Sequence, residues 1–112
     1  MVDRLKSKRE FQFVFNQPRK IKSKYFLALF KPNQQSHARL GILVSKHLIK
    51  HAVDRNQLKR VVRESFRHHK DILNGLDIIV LVRPECSSLD KKTWRYDIDN
   101  LWQLLAASLN VV

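Results

Sequence analysis

The run DIIVLVR, Asp77–Arg83, constrains this chain more than any other stretch. Between its charged ends it is continuously apolar and rich in β-branched residues, and it is too short for a helix of ordinary length. It therefore predicts a strand buried on both sides. A strand of that kind needs apolar cover above and below, which the other periodic segments of the chain must supply.

Those segments can be read in order. SKRE, Ser7–Glu10, has the form of a capping box, in which Ser and the Glu three residues later each satisfy the other's backbone. Phe11, Val14 and Phe15 follow at i, i+3, i+4, which predicts a short first helix, stopped by QPRK at Gln17–Lys20. KSKYFLALFK alternates in the manner of a strand, KPNQQSHA reads as a turn or loop, and RLGILVSK reads as a second strand region. From about Ser88 to Leu109 the residues Trp94, Ile98, Leu101, Trp102, Leu105 and Leu109 keep a helical period. The expected fold is α+β: a two-layer sandwich of a small mixed sheet of about four strands with helices packed on it, in the order αβββαβα. With 112 residues, 44% of them hydrophobic, and only two Gly and three Pro, the chain reads as one folded domain, 1–112, and not as a disordered segment.

Charge narrows the partner. The net charge is +12, and it is uneven: residues 1–70 carry 18 Lys and Arg against 4 Asp and Glu, whereas residues 71–112 carry 4 against 6. A surplus of that density predicts a nucleic acid or an anionic surface bound by the first two-thirds of the chain. The longest apolar runs fall far short of the roughly 20 residues that span a bilayer, and nothing near the N-terminus has the form of a signal peptide, so a soluble protein with no membrane partner is expected. Cys86 is the only cysteine, which excludes an internal disulfide and a thiolate zinc cage and fits a cytoplasmic location.

DRNQLKRVVRESFR, Asp54–Arg67, holds the densest charge. With Leu58 at the origin of a helical wheel, Val61, Val62, Ser65 and Phe66 fall within roughly 80° of it. Asn56, Lys59, Arg60, Arg63 and Arg67 fall between roughly 100° and 200°, forming an almost single-signed stripe. Asp54, followed by Gln57, is suited to cap the start of this helix. Any amphipathic helix has a charged outer face, but a mixed-sign face is the usual form. An arginine-dominated stripe favours phosphate, because the planar guanidinium bonds two oxygens at once. Zinc-finger spacing, a zipper heptad and a helix-turn-helix pair are all missing, so RNA is favoured over DNA. Phe11, Phe13 and Phe15 could stack on unpaired bases, although core packing is the better reading of Phe11 and Phe15 from spacing alone.

The stretch VSKHLIKHAVDRNQLKRVVRESFR resembles the signature of the protein subunit of bacterial ribonuclease P. REFQFVF resembles that family's first helix, and RLGILVSK and DIIVLVRPE resemble the strands flanking the signature, so the likeness covers nearly the whole chain. The resemblance implies a ribosomal protein S5 domain 2-like fold with a left-handed strand–helix–strand crossover, a hand that general statistics would not have suggested. It implies a subunit of an endoribonuclease that removes the 5′ leader of precursor tRNA. The catalytic RNA performs the Mg²⁺-dependent hydrolysis and holds most of the metal, with one protein per RNA. On that basis Arg55, Asn56, Lys59, Arg60, Arg63 and Arg67 would face the RNA subunit, while Phe11, Phe15 and Lys46 would line the leader cleft. Gln57 stands where the family has a second arginine, and His47 stands where a second basic residue often follows Lys46.

A protein catalyst finds no support in the residues. The acids are scattered, Asp97 and Asp99 point to different faces of a helix, and Cys86 has no base beside it. His47 and His51 would have metal-ligand spacing only on a helix, and His68 and His69 suit a helix end. The competing readings are a ribosomal or assembly protein gripping structured RNA and a self-sufficient nuclease.

Overall fold

The structure, a computed structural model, describes residues 3–86 and 90–109. Helix α1 (Lys8–Phe15) is followed by strands β1 (Arg19–Lys22), β2 (Phe26–Pro32) and β3 (Arg39–Leu43), then by α2 (Ala52–His68) and a single-turn α3 (Lys70–Leu73). Strand β4 (Leu76–Val82), a short 3-10 turn at Pro84–Cys86 and α4 (Lys91–Leu109) complete it. This is the αβββαβα order with two short additions. The sheet order is β1-β2-β4-β3, antiparallel except where β3 runs parallel to β4. Parallel neighbours cannot be joined by a tight turn, so α2 and α3 form the crossover between them.

Strand β4 is central, and every residue of it is buried except the half-buried Leu81. Its two faces are covered unequally. Ile78, Val80 and Val82 join Phe26, Ala28, Phe30 and Leu40 beneath Leu58, Val62 and Phe66 of α2 and Ile98, Leu101, Trp102 and Leu105 of α4. On the other face Ile79 clusters with Leu29, Leu5 and Val14, the buried residue of α1, with the half-buried Phe11, Leu27 and Leu81 against them. The thick layer is the helical sandwich, and α1 is a partial cover on the reverse. Trp102 is fully buried, crosses Phe66 edge-on at 5.9 Å, and donates its indole N–H to the Ser65 hydroxyl at 2.9 Å. Ser65 in turn donates to Asp99, so the polar atoms within the α2–α4 contact are satisfied.

Three local expectations shift. The alternating run Lys22–Lys31 is not one strand: Ser23, Lys24 and Tyr25 bend it into the β1–β2 hairpin. The cause is Asp97 of α4, whose buried carboxylate accepts from the Ser23 hydroxyl at 2.6 Å and from the Tyr25 backbone N–H at 2.9 Å. Helix α2 begins at Ala52, with His51 at the cap position and no side-chain cap bond. Asp54 therefore lies within the first turn, where it favours the helix dipole without capping. The last helix begins at Lys91, where the Asp90 carboxylate accepts from the Thr93 N–H at 2.8 Å. The expected start at Ser88 lies outside the described residues. The capping box forms as read: Glu10 N–H donates to the Ser7 hydroxyl at 3.1 Å, and Ser7 N–H donates to the Glu10 carboxylate at 3.0 Å. No helix among the described residues is long and apolar enough to cross a membrane.

Candidate nucleic-acid interface

Helix α2 buries Leu58, Val62, Ser65 and Phe66 and turns its arginines outward. Asn56, Arg60, Arg63 and Arg67 line a groove of about 380 Å³. Its fifth wall is Arg4, which the local sequence pattern did not single out. The segment before α1 pairs with the outer edge of β3: Leu40 N–H donates to the Asp3 carbonyl at 2.9 Å, and Leu5 N–H donates to the Leu40 carbonyl at 3.0 Å. A 2.6 Å ion pair from Lys70 to Asp3 fastens the same segment beside the end of α2. Four guanidinium groups thus converge on one groove, and among the described residues none of them is in an ion pair. Burial, and then the charge of Arg4, pushes the Arg63 guanidinium below its ordinary pKa. Like charges held this close repel one another in the free protein, and a phosphate among them would relieve that repulsion.

The other residues expected on this interface are placed differently. Arg55 spends one guanidinium nitrogen on the carbonyls of Ile49 and Lys50, at 2.9 and 2.7 Å. It is a fastener for the loop between β3 and α2 as well as a surface cation. Lys59 is half-buried on the flank of the helix, beside the groove and outside its walls. Lys46 lies not on the strand but in the turn that follows it, since β3 ends at Leu43 and the chain folds back where Leu48 and Ile49 donate to the Ser45 carbonyl.

The reverse face of the sheet is only partly covered. In register across it, Lys22 pairs with Leu27, Leu27 with Leu81, and Leu81 with Leu43. Leu27 and Leu81 are half-buried and Leu43 is exposed, so this row is a shallow apolar floor beside α1. Phe11 and Phe15 are separated by about 40° on the helix and share the flank above this floor. Phe11 packs against the cluster of Val14 and Ile79, whereas Phe15 is 45% exposed. Phe13 stands on the opposite flank, with the Lys31 ammonium 4.1 Å from its ring centre. The loop of Lys46 lies beyond Leu43, at the end of the same row.

Two contacts fix α1 over the sheet. The Phe11 ring lies so close to Gly41 that an added Cβ would sit 2.6 Å from Phe11 Cε1. Gly41→Ala is expected to lift Phe11 and tilt α1 while leaving the larger core folded. Loss of protection in α1 amides ahead of β4 amides in hydrogen exchange would report it; uniform protection would count against it. The second contact is a network: Arg39 donates to both oxygens of buried Asp77 at 2.9 and 2.7 Å and to Glu10 at 2.6 Å. The N–H groups of Lys6 and Ser7, and then Arg39, hold the Glu10 carboxyl below its ordinary pKa. Ionised Glu10 therefore stabilises α1 at neutral pH, and this contribution is lost as pH falls through the depressed value. The amides of Ser7 and Glu10 are expected to lose protection in acid before those of α4 do.

The remaining titratable groups are structural or isolated. Asp97 clamps the hairpin, and Asp99 accepts from Arg95 and Ser65. His47 lies in a turn and His51 at the start of α2, so the two are not on one helix. His69 follows the end of α2, with Nδ1 2.7 Å from the Ser65 carbonyl. Cys86 is buried, and its thiol pKa is pushed up to about 12 by that burial, which makes it a poor nucleophile. Among the described residues no three His, Cys, Asp or Glu side chains are grouped to hold a metal ion.

Residues 2–106 match the protein family described as Ribonuclease P. The chain is 41% identical over 106 residues to the ribonuclease P protein component of Azotobacter vinelandii, across 94% of this chain and 82% of that one. It is 40% identical to that of Legionella pneumophila strain Corby, across 95% and 91%. The solved RNase P protein of Staphylococcus aureus superposes with a TM-score of 0.85 at 29% identity, covering 94% of this chain and 96% of that one. The RNase P protein of Thermotoga maritima gives 0.79 at 36% identity, covering 90% and 96%. An arginine groove on α2, a second and largely apolar surface on the reverse of the sheet, and these likenesses over almost the full length lead to one assignment. The chain belongs to the ribonuclease P protein family.

Proposed function

We propose that residues 1–112 act as a single RNA-binding domain with two surfaces of different purpose. Asn56, Arg60, Arg63 and Arg67, with Arg4 beside them and Arg55 and Lys59 on the flank, grip the catalytic RNA subunit. Phe11, Phe15 and Lys46, above the row Leu27, Leu81 and Leu43, hold the single-stranded 5′ leader of precursor tRNA. The RNA subunit carries the Mg²⁺ and the phosphodiester hydrolysis, and the protein supplies grip and position in the cytoplasm, one copy per RNA. The observation that carries this reading is the convergence on one groove of four arginines that have no ion-pair partner among the described residues. Such a groove suits a folded RNA backbone, because bidentate donors bind phosphate without reading sequence.

A ribosomal or assembly protein would need the arginine groove alone. The partly covered sheet face, with Phe15 exposed on its rim, favours the processing role over that alternative. The test is cleavage of precursor tRNA at low Mg²⁺ by a bacterial ribonuclease P RNA, with and without this protein. Restored cleavage at the mature 5′ end, with the protein inert alone, is the expected result. No effect on the RNA would move the ribosomal reading ahead, and cleavage by the protein alone would mean an unrecognised active site.

The leader assignment has its own check. Phe15→Ala is expected to weaken binding of precursor tRNA by roughly 1–3 kcal/mol if a base stacks on the ring, and to spare mature tRNA. Equal weakening of both RNAs would remove Phe15 from the leader path.

A further inference from the structure

A second basic and aromatic surface lies where the β1–β2 hairpin meets the first half of α4. Lys24, Tyr25, Lys92, Tyr96 and Asn100 wall a groove of about 490 Å³, with Asp97 at its back. Tyr96 is 71% exposed, more than any other large apolar side chain among the described residues. Tyr25 is half-buried, and the Lys24 ammonium is 5.5 Å from the centre of its ring.

The charge count along the chain hides this site, since residues 71–112 are net acidic. In space all of these acids but the exposed Asp71 are engaged. Asp97 accepts from Ser23 and Tyr25, Asp99 pairs with Arg95, Glu85 with Arg83 and Asp77 with Arg39, while Asp90 caps α4. Lys24, Lys91 and Lys92 are in no ion pair among the described residues. Two ammonium groups, of Lys24 and Lys92, thus face one carboxylate, that of Asp97, among the residues lining the groove.

Exposed Tyr and Lys residues on a helix are ordinary when they are scattered. Here two phenol rings and two ammonium groups share one groove, which opens on the α4 side of the sheet, around the hairpin end from the apolar floor. Lys22 stands on the same sheet face as Leu27, its register partner, at the last pair before the hairpin bend. Arg83, just past β4, donates to the carbonyls of Ser23 and Lys24 at 2.7 and 3.1 Å and holds the bend at the rim of the sheet. From Lys22 to Lys24 the backbone advances only about 7 Å. A flexible single-stranded polyanion that leaves the floor at Lys22 and rounds the hairpin bend therefore meets Lys24 next, then the rings of Tyr25 and Tyr96.

We infer that this groove binds the distal single-stranded nucleotides of a precursor tRNA leader, those 5′ of the ones on the sheet face. Bases stack on Tyr96 and Tyr25, and phosphates lie at Lys24 and Lys92. Aromatic platforms beside backbone-tracking cations are the general means of holding unpaired RNA without strong sequence preference. The inference rests on the leader reading of the sheet face.

The test uses holoenzyme reconstituted with the RNA subunit and precursor tRNAs with no leader, a leader of about 5 nucleotides, or one of about 14 nucleotides. Wild type is expected to bind the long-leader RNA more tightly than the short. Tyr96→Ala and Lys92→Ala are expected to lower long-leader affinity roughly tenfold and about threefold, leaving short-leader affinity unchanged. Tyr96 is exposed, so the variant should keep the wild-type melting temperature. No loss with the long leader, or equal loss with both, would overturn the inference. Weaker association with the RNA subunit itself would also overturn it, since the groove would then face the ribozyme. A different outcome would sink the sheet-face reading: no gain of the short leader over none in wild type.

Discussion

Replacing Arg60, Arg63 and Arg67 together with alanine is expected to lower affinity for the RNA subunit by roughly 10³-fold at moderate salt. Hydrogen bonds to charged groups contribute about 1.5–3 kcal/mol each, so even the lower figure makes each arginine worth about tenfold. The slope of log affinity against log salt should flatten by about three, one for each lost phosphate contact. All three side chains line the groove with Arg4. Arg60 and Arg67 are exposed and Arg63 is half-buried among like charges, so the fold should survive. Removing mutual repulsion is expected to raise the melting temperature of the free protein slightly, which would separate binding loss from misfolding. An unchanged salt slope would take this face of α2 out of the RNA interface. Arg4→Ala should flatten the slope by about one and mark the N-terminal segment as part of the same grip.

Trp102→Ala is expected to cost about 3–5 kcal/mol of stability, against a total of about 5–15 kcal/mol for a domain of this kind. Trp102 is fully buried between α2 and α4, edge-on to Phe66. Its loss leaves a cavity and also removes the indole donor from Ser65, whose hydroxyl still bonds Asp99. Urea unfolding of the free protein should show the midpoint falling sharply with the slope retained. Trp102→Phe keeps most of the volume but not the donor, and should recover a large part of the loss. A small effect for Trp102→Ala would mean that the α2–α4 contact is not the main anchor of α2.

Local patterns carried far into the fold. The continuous run of β4 demanded cover on both faces and has it, thick on the α2–α4 side and thin under α1. The capping box and the stripe of α2 also appeared where their spacing put them. These features depend on residues within one helical turn or along one strand, so the pattern is itself the cause. The candidate surfaces were legible only in part. Asn56, Arg60, Arg63 and Arg67 share a groove as the helical period required, and Phe11 and Phe15 share a flank.

Tertiary partners decided the rest. Asp97 reaches Ser23 across 74 positions and turns what reads as one strand into a hairpin. Arg4 joins the arginine groove because Leu40 offers its segment a strand edge and Lys70 pairs with the neighbouring Asp3, neither of them near it in sequence. Arg55 is partly withdrawn from the surface by the carbonyls of the loop before it, and that loop carries Lys46 off the strand. Most acids of the last third are paired or hydrogen-bonded to distant or local partners, which leaves a groove with two unpaired lysines in a segment that is acidic by count. By itself the sequence determined which faces are apolar and which cationic, because periodicity within an element sets them. Which cations stand unpaired, and which aromatic rings stay open to a base, only the packed chain decided, because distant carboxylates, carbonyls and strand edges choose their partners after the elements have formed.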